Sequence, residues 1–90
     1  MEIEYHEDKR LQTLRERGLD FARALEVFES DSFDVVDDRF DYGEERWTTY
    51  GQLDGRHVAM VWTERGNSTR IISMRHMHDW EVKIRRGSLD

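Results

Sequence analysis

The sequence predicts an α+β domain: two N-terminal helices, an antiparallel sheet of about four strands and a C-terminal helix. Three observations carry that expectation. Apolar residues recur at helical spacing as far as Phe28. After Ser30 the period changes to two, as in half-buried strands. Asp54-Gly55 and Gly66-Asn67 then stand where two-residue turns would join such strands into hairpins. A length of 90 residues gives room for one domain, spanning 1–90, with a small core.

The elements follow in order. EIEY is a short strand candidate. From about Glu7 to Arg17, Leu11 and Leu14 share a helical stripe, and Gly18 sits where a C-cap glycine belongs. Asp20 caps a second helix, whose stripe is Phe21, Ala24, Leu25 and Phe28. FDVV is a strand with Phe33 and Val35 on one side, and DDRFDYGEE is a polar loop. ERWTTYGQL and RHVAMVWTE form a hairpin about Asp54-Gly55, and STRIISMRH follows Gly66-Asn67. A last amphipathic helix runs from about His78 to Arg86 and ends at Gly87.

The turns set a register, and the register assigns faces. Counting outward from Asp54-Gly55 pairs Leu53 with Arg56 and Trp47 with Trp62. Counting from Gly66-Asn67 pairs Trp62 with Ile71 and Val58 with Arg75. One face then holds Trp47, Met60, Trp62, Ile71 and, toward one end, Arg75. The other holds Tyr50, Ala59, Val61, Ile72 and Met74, with Arg46 and Arg70 flanking Thr63 and His57 beside His76.

Charge divides the chain. The formal net charge is −6, yet twelve of the 14 cations are arginine, the residue suited to bidentate phosphate contacts. Acids concentrate between Glu26 and Glu45, where Arg39 is the one cation; from Arg46 to Arg86 cations outnumber acids. A uniformly basic nucleic-acid coat is excluded, and a dipolar molecule is expected. There is no cysteine, hence no disulfide and no thiolate site. No apolar run approaches the roughly 18 residues of a membrane span, and the opening MEIEYHEDK is unlike a secretory signal. A cytoplasmic protein with no membrane contact is expected.

The stretch RIISMRHMHDW concentrates the candidate chemistry. Arg75 falls on the parity of Met60 and Trp62, where a charge is out of place. It is either a group holding an anion or a strand-end arginine that reaches water or an acid. Arg65 lies beside a turn, where an exposed arginine is ordinary. Glu64 is either a base or an ion-pair partner of Arg46 or Arg65, and it falls opposite Glu45. His57 and His76 pair across strands in this register; they either share acid and base work or are plain surface histidines. With His78 they offer three imidazoles, but at no spacing typical of a metal site, so neither metal nor cofactor is expected. Trp47 and Trp62 are core positions before they are base-stacking platforms, and Trp80 reads as the anchor of the last helix.

In order and spacing, EDK, RGLDF, DYGEER, DGR, WTERG and IISMR make the chain similar to the BrnT toxin family over almost its whole length. The resemblance implies a RelE-like fold and a metal-independent endoribonuclease toxin of a type II toxin–antitoxin pair. It implies RNA as substrate and a ribbon-helix-helix antitoxin of the BrnA type, through which the complex binds DNA. It points at Lys9, Glu45, Arg46, Glu64, Arg65 and Arg75. In the resulting expectation Arg75 and Arg65 contact phosphate and Glu64 or a histidine moves protons, while Lys9, Arg46 and Arg70 bind RNA. The chain departs from the family pattern at Glu16-Arg17-Gly18, where Lys-His-Gly is usual, at Thr13 and at Met77. The acidic run, including Asp31, Asp34, Asp37, Asp38 and Asp41, is either a solubilising surface or a dock for the basic antitoxin. The competing expectation is a non-catalytic interaction module that acts with a DNA-binding partner in transcriptional autoregulation.

Overall fold

The computed structural model describes the backbone of residues 1–39 and 41–89 and the side chains of 1–39 and 41–84. Strand β1 (Glu2–Tyr5) leads into helix α1 (Glu7–Arg17); a 3-10 turn (Phe21–Arg23) opens helix α2 (Ala24–Glu29). Strands β2 (Phe33–Asp37), β3 (Arg46–Leu53), β4 (Arg56–Arg65) and β5 (Ser68–His76) follow, then helix α3 (Asp79–Leu89). The sheet has five strands in the order β1-β5-β4-β3-β2, with β1 parallel to β5 and the other pairs antiparallel. The four-stranded antiparallel expectation is thus corrected to a five-stranded mixed sheet. EIEY supplies the fifth strand.

Local chemistry accounts for most boundaries. Helix α1 ends at Gly18, whose φ of 69° a glycine adopts freely, and its N–H donates to the Leu14 carbonyl. Asp20 accepts from the Ala22 N–H, so it caps the 3-10 turn rather than a full α-helix. Asp54 and Gly55 both take positive φ, the geometry of a type I′ turn, and Arg23 grips Asp54 at 2.6 and 2.8 Å. Helix α3 continues to Leu89, past the glycine expected to stop it.

The core lies on one face of the sheet. Leu19, Phe21, Ala24 and Val27 pack onto Val58, Met60, Trp62, Ile71 and Met74. Val27, not Leu25, completes the buried stripe of α2, and Leu25 is exposed. Trp47 and Trp62 stack in this layer at 5.9 Å, so both are core residues. The Trp62 indole N–H donates to the Thr49 hydroxyl at 2.7 Å, and Thr49 donates to Asp34 at 2.6 Å, which satisfies the polar atoms of the layer. Helix α1 buries no residue; Leu11 and Leu14 stay exposed. It covers the β5 edge beyond β1 instead, where Lys9 and Arg17 donate to the carbonyls of Ile72 and Met74.

Among the described glycines the tightest surroundings are those of Gly51. A Cβ there would lie 2.7 Å from the Ser30 Oγ and 2.9 Å from the Val27 carbonyl oxygen. Ser30 cannot easily yield, because it donates to that carbonyl and accepts from the Gln52 N–H. Gly51→Ala is expected to destabilise the fold by about 1–3 kcal/mol through overpacking, or about 4–8 °C in Tm for each kcal/mol. Thermal unfolding followed by circular dichroism checks it, and an unchanged Tm would show that α2 shifts without cost.

One irregularity decides the faces. The pairing Trp62 with Ile71 holds as expected, but the register then shifts, so Val61 faces Ser73, Ala59 faces Arg75 and Val58 faces His76. Ile72 is the extra residue of a β-bulge. The bulge lets Ile71 and Met74, three apart, both enter the core. It also moves Arg75 off the face of Met60 and Trp62, correcting the parity assigned to it. Arg75 belongs to the open face, with Tyr50, Ala59 and Val61.

Candidate active site on the open face

The face opposite the core carries the arginines Arg46, Arg70 and Arg75. Arg46 and Arg70 flank Thr63 across three strands, as expected, and Ser73 and Arg75 continue the row beyond the bulge. A groove of about 480 Å³ runs between this face, the β2 end and the start of α3; Thr48, Tyr50, Ser73, Arg75, His78 and Glu81 are among its lining residues. Beside it a hollow of about 160 Å³ is walled by Phe33, Val35, Tyr50, Trp80 and Ile84. Trp80, at 61% exposed, and Ile84, at 59%, are not packed in the core, so Trp80 is not the anchor it was expected to be.

Arg75 is held at both ends of its fork. Its Nη1 and Nη2 donate to the two Glu81 oxygens at 2.7 and 3.0 Å, and Nη1 also donates to the His76 carbonyl at 3.3 Å. The Glu81 side chain is 4% exposed. The guanidinium hydrogen bonds pull its carboxyl down to about 2 against burial, with help from the His78 N–H. That pair holds Arg75 further above its already high value. Burial, and then the Glu81 charge, raise the Tyr50 phenol.

The other expected residues are distributed over the sheet. Arg46 donates to Glu44 at 3.1 Å and lies 4.0 Å over the Tyr42 ring, and Arg65 stands 3.6 Å from the same Glu44. The expected pairing of either with Glu64 is therefore corrected: Glu44 takes both. Glu64 and Glu45 line a separate hollow of about 230 Å³ with Glu44, Trp47 and Thr63. Arg65 is six residues along β4 from Ala59, the partner of Arg75, or about 20 Å of strand. Arg70 is 3.5 Å from Glu4. Burial, and then the charges of Arg46 and Arg70, lower the Lys9 ammonium.

The histidines do not form the expected couple. Their pairing rested on the unshifted register. The bulge sets His76 opposite Val58, while His57 faces Gln52, so the two imidazoles lie on opposite faces. The His76 Nε2–H donates to the Arg17 carbonyl at 2.9 Å. His78, by contrast, lines the Arg75 groove and stacks on Trp80. Among the described residues no three metal-binding side chains converge. No described helix is long and apolar enough to cross a membrane.

The acidic run is also divided. Asp34 is committed to Thr49 and Asp37 to Arg39, whose fork lowers its carboxyl. Asp31, Asp38 and Asp41 stay exposed. Glu81, Tyr50 and Arg39 reach the groove without having been singled out in the sequence. The one available signal was Glu81 standing three residues after His78, the spacing of a side chain that reaches back to cap its own helix.

Comparison with curated proteins finds no match. Residues 5–81 match the family model of BrnT, the ribonuclease toxin of type II toxin–antitoxin systems. The ordered words of sequence, the helices and sheet they build and a match over most of the 90 residues agree, and the chain belongs to the BrnT ribonuclease toxin family.

Proposed function

We propose that this protein cleaves RNA as a metal-independent endoribonuclease with a RelE-like fold. The observation that carries the reading is the set Arg75, Arg46 and Arg70 on the sheet face that the core helices leave open, with Lys9 of α1 at the β5 edge beside it. A strand of RNA laid across that face would meet cations at several of its phosphates, with Arg75 on the scissile one. The 2′-hydroxyl loses its proton to a base and its oxygen bonds to phosphorus. The bond from phosphorus to the 5′-oxygen breaks, and that oxygen takes a proton. The products are a 2′,3′-cyclic phosphate and a 5′-hydroxyl. His78 is the imidazole in the Arg75 groove and is assigned the proton transfer in this reading. Arg65, far along β4, acts on the flanking chain rather than at the bond that breaks, whereas Glu64 has the parity of Met60 and Trp62 and stands on the core side of the sheet. Trp80 offers an exposed ring for a neighbouring base.

The partner in this reading is a basic ribbon-helix-helix antitoxin that carries the pair to DNA. Asp31, Asp38 and Asp41 supply charge for it, and the hollow beside Trp80 and Ile84 supplies apolar surface. One observation favours the non-catalytic alternative: Arg75, Arg46, Arg70 and Arg39 each already have a carboxylate of this chain beside them. Incubation of the purified protein with single-stranded RNA in excess chelator separates the two readings. Cleavage leaving cyclic phosphate ends is expected; intact RNA after incubation with folded protein would favour the interaction module.

A further inference from the structure

The geometry of the guanidinium leads to a role for Glu81, resting on the reading that Arg75 holds the scissile phosphate. Arginine presents two forks: an end-on pair from Nη1 and Nη2, and a side-on pair from Nε and the remaining Nη2 hydrogen. Glu81 takes the end-on pair through both its oxygens, and the second Nη1 hydrogen goes to the His76 carbonyl. What is left among the described contacts is the side-on fork, whose two parallel donors match a phosphate as well as a carboxylate.

We propose that Glu81 is the positioning residue of this enzyme, fixing the plane of Arg75 so that its side-on fork is the one offered to the substrate phosphate. Three further observations fit. Glu81 is itself immobilised: Oε1 also accepts from the His78 N–H at 2.8 Å, closing the first turn of α3. Its side chain is almost wholly buried while Trp80 and Ile84 are exposed, so among the described residues of α3 it is the buried one, held against the sheet at Arg75. The Arg75 guanidinium, and then the His78 N–H, hold its carboxyl well below the usual carboxylate range against burial. A guanidinium ordered in advance needs no reorganisation when charge develops on the phosphorane, which is how fixed donors favour a transition state over a ground state. Glu81 touches no substrate atom. It acts through Arg75.

A double-mutant cycle on single-turnover RNA cleavage tests this, using Arg75→Ala, Glu81→Gln and the two together in the full chain. Glu81→Gln keeps an oxygen for the His78 N–H but loses the charge and one acceptor. It is expected to lower kcat about tenfold or more, with KM changed less than about threefold. In the Arg75→Ala background the same substitution is expected to have no further effect, because nothing remains to be positioned. Glu81→Asp keeps the charge on a shorter arm and serves as the second variant, with a loss expected there as well. Faster cleavage by Glu81→Gln would overturn the proposal, since Glu81 would then be competing with phosphate for Arg75. A loss carried in full into the Arg75→Ala background would also overturn it, showing that Glu81 acts only by holding α3. If Arg75→Ala lowers cleavage while both Glu81 variants match the wild type, the role of Glu81 alone falls. If Arg75→Ala cleaves normally, the phosphate reading falls and takes this proposal with it.

Discussion

Arg75→Ala is expected to lower RNA cleavage by about 10²–10³-fold, the loss typical of removing one donor from a developing oxyanion. The effect should fall on kcat more than on KM, because Arg46, Arg70 and Lys9 remain to hold the chain. Arg75→Lys keeps the charge but replaces a planar fork with a point charge, and most of the activity should still be lost. Stability provides the internal control. Removing the guanidinium leaves a carboxylate that is 4% exposed with the His78 N–H but without its cation, a loss of about 1–3 kcal/mol once the 36% exposure of Arg75 is allowed for. Cleavage is therefore to be compared well below the Tm of the least stable variant. An Arg75→Ala protein that is folded and fully active would show that this arginine serves only to dock α3.

That Arg75 faces the groove at all was only half legible in the sequence. Each hairpin was readable from its turn, since Asp54-Gly55 and Gly66-Asn67 fix pairings that need no distant information. The bulge at Ile72 was not readable by counting, because an extra residue leaves no local mark. Its trace was indirect: Ile71 and Met74 are both apolar and three apart, a spacing that strict alternation cannot bury. Helix α1 was legible end to end from its spacing and Gly18, yet the stripe of Leu11 and Leu14 that marked it stays exposed. Its task is to cover an edge, which depends on where β1 stops. The parallel pairing of β1 with β5 joins residues more than sixty apart and has no turn to announce it. The groove fared worst. Glu81 and Tyr50 come from α3 and β3, and nothing short of the tertiary fold brings them to Arg75.

Salt separates the two readings of the arginine row. With about four cations neutralising phosphates, the logarithm of RNA affinity should fall against the logarithm of salt with a slope of about −3. Between 50 and 200 mM salt that is a loss of about 50-fold. The probe is an RNA with its 2′-hydroxyls replaced by hydrogen, so that binding is read without cleavage. Arg46→Ala with Arg70→Ala should reduce the slope by about 1.4, and the remaining affinity should depend on Arg75 and Lys9. The net charge of −6 works against binding at low salt, where long-range repulsion is least screened. A steep negative slope despite that charge requires the guanidiniums of the open face to outweigh the acids beside them, Glu44 at Arg46 and Asp37 and Asp38 along the groove. A flat response would mean that the carboxylates beside Arg46, Arg70 and Arg75 keep those guanidiniums for the fold. The row would then be a set of internal ion pairs, and the protein's partner would have to be sought on the apolar hollow beside Trp80.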